Sequence, residues 1–367
     1  MGSLPRPQAV VDLVYAEDRG EPLDEAALER ALEEGVHQIV RLQRDAGVDV
    51  VSDGELSKIG YATYVRHRLS GFEHGEVPRA TPADLDAYPT WRDRQVAQGT
   101  APRYQRPICR GPVAYVNRAP LDRDLATFRR AVDEAGVEGF VGAPSPGVVA
   151  LFLPNEHYAT TDDYLEALAD ALKTEYETIL AAGFDLQIDA PDLAMGRHIM
   201  YKDRSDEEFV EAAERHVAAI DRALRDVPGD RVRLHVCWGN YEGPHHLDVP
   251  VEKILPVVLK AKPRTISFEA SNPRHAHEWK AWREAPIPDD TVLMPGVLDT
   301  TTNYIEHPEL VAERIERFAS IVGPERVLAS TDCGFGTWSG ISIVDPPIVW
   351  AKLRALADGA ALASERL

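Results

Sequence analysis

Apolar and polar positions follow two alternating patterns along this chain. In six long stretches the apolar residues recur with the spacing of one helix face, and short β-branched or apolar runs separate these stretches. Four of the six stretches are followed directly by glycine, the residue at which helices commonly stop. The predicted helices cover residues 25–46, 162–182, 206–225, 251–261, 308–322 and 346–358.

The short apolar runs predict the strands of a parallel sheet. Seven are complete runs, at 48–52, 139–142, 186–188 and 292–294 and within 233–239, 265–270 and 328–334. Residues 2–7 have the pattern of the end of a further strand. Eight strands that alternate with helices predict a single-domain α/β protein, a (β/α)8 TIM barrel over residues 1–367. The active site is then expected at the C-terminal strand ends, where polar clusters follow the runs.

One segment does not follow this repeat. Residues 73–116 are rich in Pro, Arg, Tyr and Trp, and they show neither the helical nor the strand pattern over their length. We expect an inserted hairpin or lid there, with a solvated surface excursion as the alternative. The composition of the chain shows no linker that would divide it into two domains.

Composition and charge narrow the class of protein. The chain has 367 residues, 44% hydrophobic and 27% charged, as in an ordinary globular protein. It has no apolar run long enough for a membrane span and no leader pattern, so we expect a cytoplasmic location. The net charge of −20 repels polyanions, and no nucleic acid partner is expected. Three cysteines cannot form a disulfide framework and suit a reducing compartment.

Four side chains at predicted strand ends form a candidate zinc site. His235 and Cys237 are two residues apart, so on a strand they point to the same face. Glu269 and Cys333 follow two other strand-like runs. Imidazole and thiolate favour zinc over magnesium or calcium, and a carboxylate ligand makes the site exchangeable. A His-x-Cys pair by itself is more often two half-buried core residues, so spacing alone leaves both interpretations open.

Seven short motifs lie at 2–6, 53–55, 187–189, 235–237, 268–269, 295–299 and 332–334, and they span residues 2 to about 336. In this order they resemble the motifs of cobalamin-independent methionine synthase, in its C-terminal catalytic barrel. The resemblance implies a zinc ion held by His235, Cys237, Glu269 and Cys333. It also implies that zinc binds the thiol of homocysteine, the substrate that receives a methyl group to give methionine.

The same resemblance implies how the substrate is bound. It assigns the amino group of homocysteine to Glu55 and Asp189, and it brings Gly2 and Ser3 near the substrate carboxylate. An alternative remains for the two acids, because Asp53-Gly54 is a common turn sequence and Asp189 precedes Pro191. Either acid could therefore serve to cap a helix or close a loop.

Two departures from the family leave the methyl donor open. Where the family has a histidine thought to protonate the leaving folate, this chain has Thr301, which cannot act as a general acid near neutral pH. Asp299 is the candidate that could take over this catalytic role. The long N-terminal half that assists folate binding is also absent from this sequence. The donor is expected to be a methylfolate or a methyl-corrinoid, with a corrinoid protein as a possible partner.

Two other functions are compatible with the same residues. Short single-barrel relatives include enzymes similar to epoxyalkane:coenzyme M transferase, which use zinc and a thiol to open an epoxide. Coenzyme M carries a sulfonate and no amine, so paired acids would repel it and favour an amino-acid thiol instead. The remaining alternative is a thiol sensor that binds zinc without turnover.

Several other polar residues are expected to lie at the surface. Lys58, Tyr61 and Arg66 follow Glu55 closely and predict a charged face in solvent. The pairs at 245–246 and 275–277 are histidines beside prolines and charges, which predicts surface loops rather than a second metal site. Relatives carry a strand before the motif at 2–6, so a few residues are expected upstream of Met1.

Overall fold

A computed structural model describes residues 2–75, 81–97 and 106–367 of the chain. Within these ranges it contains helices α1 (Gln8–Asp18), α2 (Glu25–Asp45), α3 (Ala83–Asp86), α4 (Pro89–Ala97), α5 (Ala119–Ala135), α6 (Pro146–Phe152), α7 (Thr161–Ala181), α8 (Gly196–Ile199), α9 (Asp206–Ala223), α10 (Val251–Val258), α11 (Trp279–Glu284), α12 (Pro308–Val322) and α13 (Pro346–Arg366). Short 3-10 helices lie at Thr63–His67, Pro191–Leu193, Gly229–Arg231 and Pro324–Arg326. Among the described residues, no helix combines the length and apolar character that a membrane span needs.

The strands form one large sheet and one small one. They are β1 (Val50–Ser52), β2 (Phe72–His74), β3 (Pro107–Cys109), β4 (Glu138–Pro144), β5 (Asp185–Asp189), β6 (Val232–Val236), β7 (Thr265–Phe268), β8 (Val292–Leu298) and β9 (Ser330–Thr331). Seven strands form the parallel sheet in the order β1-β4-β5-β6-β7-β8-β9, and all six neighbouring pairs are parallel. The alternation of helices and parallel strands confirms the α/β prediction, and the seven complete runs all contain strands.

The predicted first strand is absent from the described structure. Residues 2–7 form an extended segment without strand pairing, although this segment touches both edges of the large sheet. Leu4 N–H donates to Gly54 O (3.1 Å) beyond β1, while Phe335 N–H, beyond β9, donates to Ser3 O (2.7 Å). The curled seven-stranded sheet therefore meets the same short segment at both ends.

The inserted region, predicted as a hairpin or lid, contains a pair of antiparallel strands. Strands β2 and β3 pair antiparallel, with Phe72 opposite Cys109 and His74 opposite Pro107. Helices α3 and α4 lie between these strands along the chain. Residues 76–80 and 98–105 of the predicted insert lie outside the described residues.

The last helix differs from its prediction. Glycine at 359 was expected to end the helix, whereas α13 continues through it to Arg366. A Cβ on Gly359 would lie 2.4 Å from Val311 Cβ of α12, closer than atoms pack. The glycine therefore allows α12 and α13 to pack closely, and its helical environment overrides its usual role as a stop signal.

A buried ion pair joins α13 to the loop before α12. Lys352 Nζ lies 2.7 Å from Glu306 Oε2 and also donates to Tyr304 O (2.7 Å). Lys352 and Glu306 are both buried. Glu306 in turn accepts a hydrogen bond from Asp299 N–H (2.8 Å), so the pair supports the loop that follows β8.

Removing one member of this pair is expected to destabilise the fold. Lys352→Met leaves the Glu306 carboxylate buried without a cation, and the free energy of unfolding should fall by about 3–5 kcal/mol. Urea titration followed by circular dichroism measures this change. The matched control is Lys352→Met combined with Glu306→Gln, which leaves no buried charge and should lose less stability. A loss below about 1 kcal/mol in the single variant, the size typical of exposed pairs, would contradict the prediction.

Candidate metal centre and substrate site

The candidate metal ligands lie where parallel strands end. His235 is the penultimate residue of β6 and Cys237 follows its last residue, while Glu269 directly follows β7. Cys333 lies two residues beyond the end of β9. Because β6 to β9 are successive parallel neighbours in one sheet, their C-terminal ends share one edge. The topology thus brings together residues that are up to about a hundred positions apart in the chain.

Three of the four candidate ligands form a compact buried cluster. One ligand atom each from His235, Cys237 and Cys333 lies within 4.8 Å of the others. The two sulfur atoms are 3.2 Å apart as free thiols, and Glu269 Oε1 lies 3.9 Å from Cys333 Sγ. All four side chains are buried. The fourth ligand is therefore adjacent to the cluster.

The protonation chemistry of the cluster fits a metal ion. Burial lowers the pKa of His235 to about 4, so its imidazole is neutral, and its Nδ1 has no hydrogen-bond partner among the described residues. Hydrogen bonding to Cys237 and burial raise the pKa of Cys333 well above its ordinary value. A neutral imidazole and two adjacent thiols, buried beside a carboxylate, match the donor set of ions that bind sulfur and nitrogen.

Glu269 is held by three donors. Trp238 N–H donates to Oε1 (2.8 Å), Asn272 Nδ2 donates to Oε2 (2.8 Å), and Arg274 forms an ion pair with Oε2. Burial acts to raise the pKa of Glu269, but the Arg274 cation, His275 and the Trp238 N–H together outweigh it and hold the pKa below its ordinary value. Since Oε1 is the oxygen close to Cys333, the carboxylate can face the cluster with one oxygen while Arg274 holds the other.

Asp332 organises the loop that carries Glu269. Its Oδ1 accepts hydrogen bonds from Ala270 N–H and Ser271 N–H, at 2.9 and 3.0 Å. Its Oδ2 accepts from Ser271 Oγ and from the backbone and side-chain amides of Asn272, at 2.6–3.0 Å. One buried carboxylate thereby links the residue before Cys333 to the loop after Glu269. Sequence reasoning missed this role, because the only signal was an aspartate beside a cysteine.

The two predicted substrate acids are close to each other. Glu55 Oε1 and Asp189 Oδ2 lie 2.9 and 3.2 Å from the point that a Cβ on Gly142 would occupy. Glu55 has a positive φ of 55°, a conformation rare for this residue type, and its N–H donates to Asp53 Oδ1 (2.9 Å). Burial and the nearby Glu55 charge raise the pKa of Asp189 to about 7. The turn and the strand end therefore direct two carboxylates toward one small space.

The N-terminal segment touches both Glu55 and the segment that carries Cys333. A Cβ on Gly2 would lie 2.8 Å from Glu55 Oε1, so the glycine allows the carboxylate to approach the backbone. Ser3 contacts the residue after Cys333, since a Cβ on Gly334 would lie 2.1 Å from Ser3 Oγ. In the register of the sheet, Asp189 also pairs with His235. Gly2 thus adjoins Glu55, Ser3 adjoins the segment after Cys333, and Asp189 lies beside His235.

Asp299 makes contacts within its own loop. Its Oδ1 accepts hydrogen bonds from the N–H and the hydroxyl of Thr301, at 2.6 and 2.8 Å. The side chain is buried. The neighbouring Thr300 hydroxyl donates to Asn240 Oδ1 (2.9 Å), and Asn240 in turn donates to Gly334 O beyond Cys333. The loop is therefore tied to the metal-ligand segments, and a catalytic role for Asp299 stays a prediction.

The expectation of a solvent-exposed charged face after Glu55 is wrong. Lys58 is 3% exposed, and its Nζ donates to Gly142 O (2.6 Å) and lies 3.7 Å from Glu55 Oε1. Arg66 forms a largely buried ion pair with Asp18 (2.7 Å). Tyr61 is half-buried and packs against Phe152 and Trp338. Closeness to Glu55 in sequence did not reveal this, because the segment is largely a turn and a 3-10 helix with buried residues.

The expectation that the histidines lie in surface loops is wrong for two of them. His245 and His275 are buried and, together with His198, lie about 3.1 Å from the carboxylate of Asp248. The His275 ring also lies 4.4 Å from the Trp238 ring, centroid to centroid, next to Cys237. Proline and charged neighbours suggested exposure, but the shared acid compensates the buried imidazoles. This cluster supports the loop after β6.

The family match and the most similar relatives that we report agree with each other. Residues 1–345 match the family described as cobalamin-independent synthase, catalytic domain. The methionine synthase of Sulfolobus acidocaldarius is 25% identical over 371 residues, which cover 100% of this chain and 92% of that protein. The methionine synthase of Saccharolobus solfataricus is also 25% identical over 371 residues, covering 100% and 94%.

A solved structure has the same fold. The B12-independent methionine synthase from Shewanella sp. W3-18-1, in complex with selenomethionine, superposes with a TM-score of 0.76. Its sequence is 21% identical, and the match covers 100% of this chain and 96% of that one. The matched family region contains all four candidate metal ligands and both buried acids. The chain therefore belongs to the family of cobalamin-independent synthase catalytic domains.

Proposed function

We propose that this protein is a zinc-dependent methyltransferase that methylates the thiol of homocysteine to give methionine. The observation that carries the proposal is the buried cluster of His235, Cys237 and Cys333 at the strand ends, in a chain of this family. The methionine synthase names of the full-length relatives point to the same reaction. Zinc is proposed because imidazole and thiolate ligands favour it.

The protein's own residues prepare the site for a thiol. When bound, zinc would hold the substrate sulfur as a thiolate, which is the nucleophilic form of a thiol. Two thiolates and the Glu269 carboxylate give the metal site about one net negative charge, and the Arg274 ion pair offsets it. Burial of the four ligands keeps water away from them, which supports attack by sulfur on a methyl carbon rather than hydrolysis.

The acid pair supports recognition of the amine of homocysteine. Glu55 and Asp189 are buried carboxylates whose oxygens approach one small space, and an ammonium group would compensate their charge. Asp189 pairs in register with His235, so the proposed amine site adjoins the proposed sulfur site. A sulfonate in place of the amine would meet two like charges, which argues against coenzyme M as the thiol.

Further proposals concern the barrel and its surroundings. We propose that residues 2–7 close a (β/α)8 barrel by lying between β1 and β9, which their hydrogen bonds to both ends of the sheet support. We also propose that residues 1–367 form one catalytic domain. The three cysteines are free, which suits a reducing compartment such as the cytoplasm. A corrinoid protein is retained as a proposed methyl donor partner.

Asp299 is proposed to assist a leaving folate. Thr301 replaces the histidine expected of the family, and Asp299 is the acid of the same loop. Its buried carboxylate already accepts two hydrogen bonds from Thr301, which orient it within the loop. A corrinoid leaving group needs no proton, so Asp299 would matter for one donor and not for the other.

The metal proposal predicts unequal roles for two buried cysteines. Cys333→Ser should lower zinc affinity by at least about 100-fold, because loss of an outer-shell partner alone costs roughly 10–100-fold. Cys109→Ser is the matched control, since Cys109 is buried outside the cluster with its Sγ near Gly111 O. Zinc content per chain is measured by plasma mass spectrometry after dialysis. Equal zinc content in both variants would reject the proposed ligand set.

The identity of the donor can be decided with the zinc-loaded protein. Homocysteine is incubated with a methylfolate or with a methyl-corrinoid, and methionine is quantified by mass spectrometry. We expect methionine with both, and faster formation from the methyl-corrinoid, because the chain has threonine in place of the protonating histidine. If neither donor gives methionine, the proposed function is rejected.

Asp299→Asn tests the acid proposed for the folate reaction. This substitution should slow methionine formation from the methylfolate by about 100-fold, the lower end of the range for general acid catalysis. It should leave the rate with the methyl-corrinoid nearly unchanged. Initial rates at saturating homocysteine give this comparison, with zinc content as the control for site integrity. An equal loss with both donors would instead indicate that Asp299 supports the loop.

A further inference from the structure

Three buried charged side chains surround Gly142, near the C-terminal end of β4. Glu55 Oε1, Asp189 Oδ2 and Lys58 Nζ lie 2.9, 3.2 and 4.0 Å from the point that a Cβ on Gly142 would occupy. All three side chains are buried. Any side chain at Gly142 would fill the space that these groups share. Two acids and one lysine leave about one net negative charge when both acids are ionised.

Lys58 is fixed in position by its surroundings. Its Nζ donates to Gly142 O (2.6 Å), lies 3.7 Å from Glu55 Oε1, and stands 4.7 Å from the centre of the Tyr64 ring. Arg6 holds the turn that carries both residues, because its Nη2 donates to Glu55 O (2.8 Å) and Lys58 O (3.2 Å). A lysine with so little exposure is retained in a fold only when charge and hydrogen bonds compensate it.

These contacts make Lys58 the internal partner of Glu55. Glu55 is directed inward by a turn with positive φ, and its carboxylate lies between the Gly2 and Gly142 backbones. Lys58 links that carboxylate to the β4 carbonyl at Gly142, which fixes Oε1 against the strand end. One net negative charge then remains for a ligand, and this charge matches a single ammonium group.

We propose that Lys58 is a positioning residue that holds the Glu55 carboxylate for the ammonium group of the substrate. It thereby makes the site selective for a thiol that carries an α-amino group. The inference rests on the proposed binding of homocysteine. Lys58 does not touch the reacting sulfur in this view, and its effect passes through Glu55.

The test compares two thiols that differ only in the amine. Homocysteine and 4-mercaptobutanoate, its analogue without the amino group, are titrated into zinc-loaded protein by isothermal calorimetry. The ratio of their Kd values reports amine recognition, since contributions from sulfur and carboxylate are shared. The parent protein, Glu55→Gln, Lys58→Gln and the double variant are measured. Lys260→Gln is the matched control, because the Lys260 side chain is 69% exposed.

The expected results form a double-mutant cycle. The parent should bind homocysteine at least about 30-fold more tightly, the size of a charge-assisted hydrogen bond, and Lys58→Gln should reduce this ratio about tenfold. Glu55→Gln should reduce it at least as much, and the double variant should match Glu55→Gln, because Lys58 acts through Glu55. Lys260→Gln should leave the ratio unchanged. The KM for homocysteine should rise in Lys58→Gln with little change in kcat.

Other outcomes overturn the inference. One is a Kd ratio of the two thiols in Lys58→Gln that stays within about twofold of the parent. Another is a Kd ratio in the double variant that falls below that of Glu55→Gln. An equal weakening of both thiols would make Lys58 a structural counter-charge. If Lys58→Gln does not fold, Lys58→Arg takes its place, because it keeps a buried cation but replaces the compact ammonium group that contacts Glu55 Oε1 and Gly142 O with a planar guanidinium. The affinity ratio should still fall several-fold, and a ratio within about twofold of the parent would overturn the inference.

Failure of the proposed function gives a different result. A parent protein that discriminates between the thiols but forms no methionine would reject the methyltransferase proposal and leave the role of Lys58 standing. A parent that forms methionine but binds both thiols equally would overturn the inference alone.

Discussion

The shared edge of parallel strands is the constraint on which this site depends. Parallel strands in register end at one side of a sheet, so residues that follow different strands become neighbours there. Asp189, His235, Glu269 and Cys333 come from the ends of β5, β6, β7 and β9 and have no sequence proximity. A register shift of one residue would turn each side chain to the opposite face, so the sheet pairing and the site chemistry are inseparable.

Burial imposes a second constraint, because each charge at this edge needs a partner. Glu269 has Arg274 and two amides, Asp332 has five hydrogen bonds from the next loop, and Asp248 has three histidines. Desolvation of an unpaired acid would otherwise favour its neutral form or destabilise the fold. The polar residues around the cluster therefore form loops whose side chains are held before any ligand arrives, which reduces the reorganisation required for catalysis.

The sequence predicted the elements that repeat and missed the contacts between them. Helical periodicity and the seven apolar runs were sufficient for the α/β architecture, and the ligand motifs at strand ends were sufficient to bring His235, Cys237 and Cys333 together. The local pattern around Lys58 predicts exposure, because it does not reveal that the turn carrying Lys58 folds back onto β4. The glycine at 359 predicts a helix end, because its close contact with α12 is a tertiary feature that the sequence does not show.

The residues that orient Glu269 and the residues that orient the acid pair, Glu55 and Asp189, come from different parts of the chain. The proposed metal ligand Glu269 is oriented by Asp332, Asn272 and Arg274, whereas the acid pair is oriented by Lys58, Arg6 and the turn at 53–55. No side chain named in one support set belongs to the other. Under the proposed roles, substitutions in the turn change thiol recognition without touching the proposed sulfur-binding ligands. This separation gives a physical reason why one set of strand ends could accept thiols with different head groups, since the proposed metal ligands need not change with the substrate.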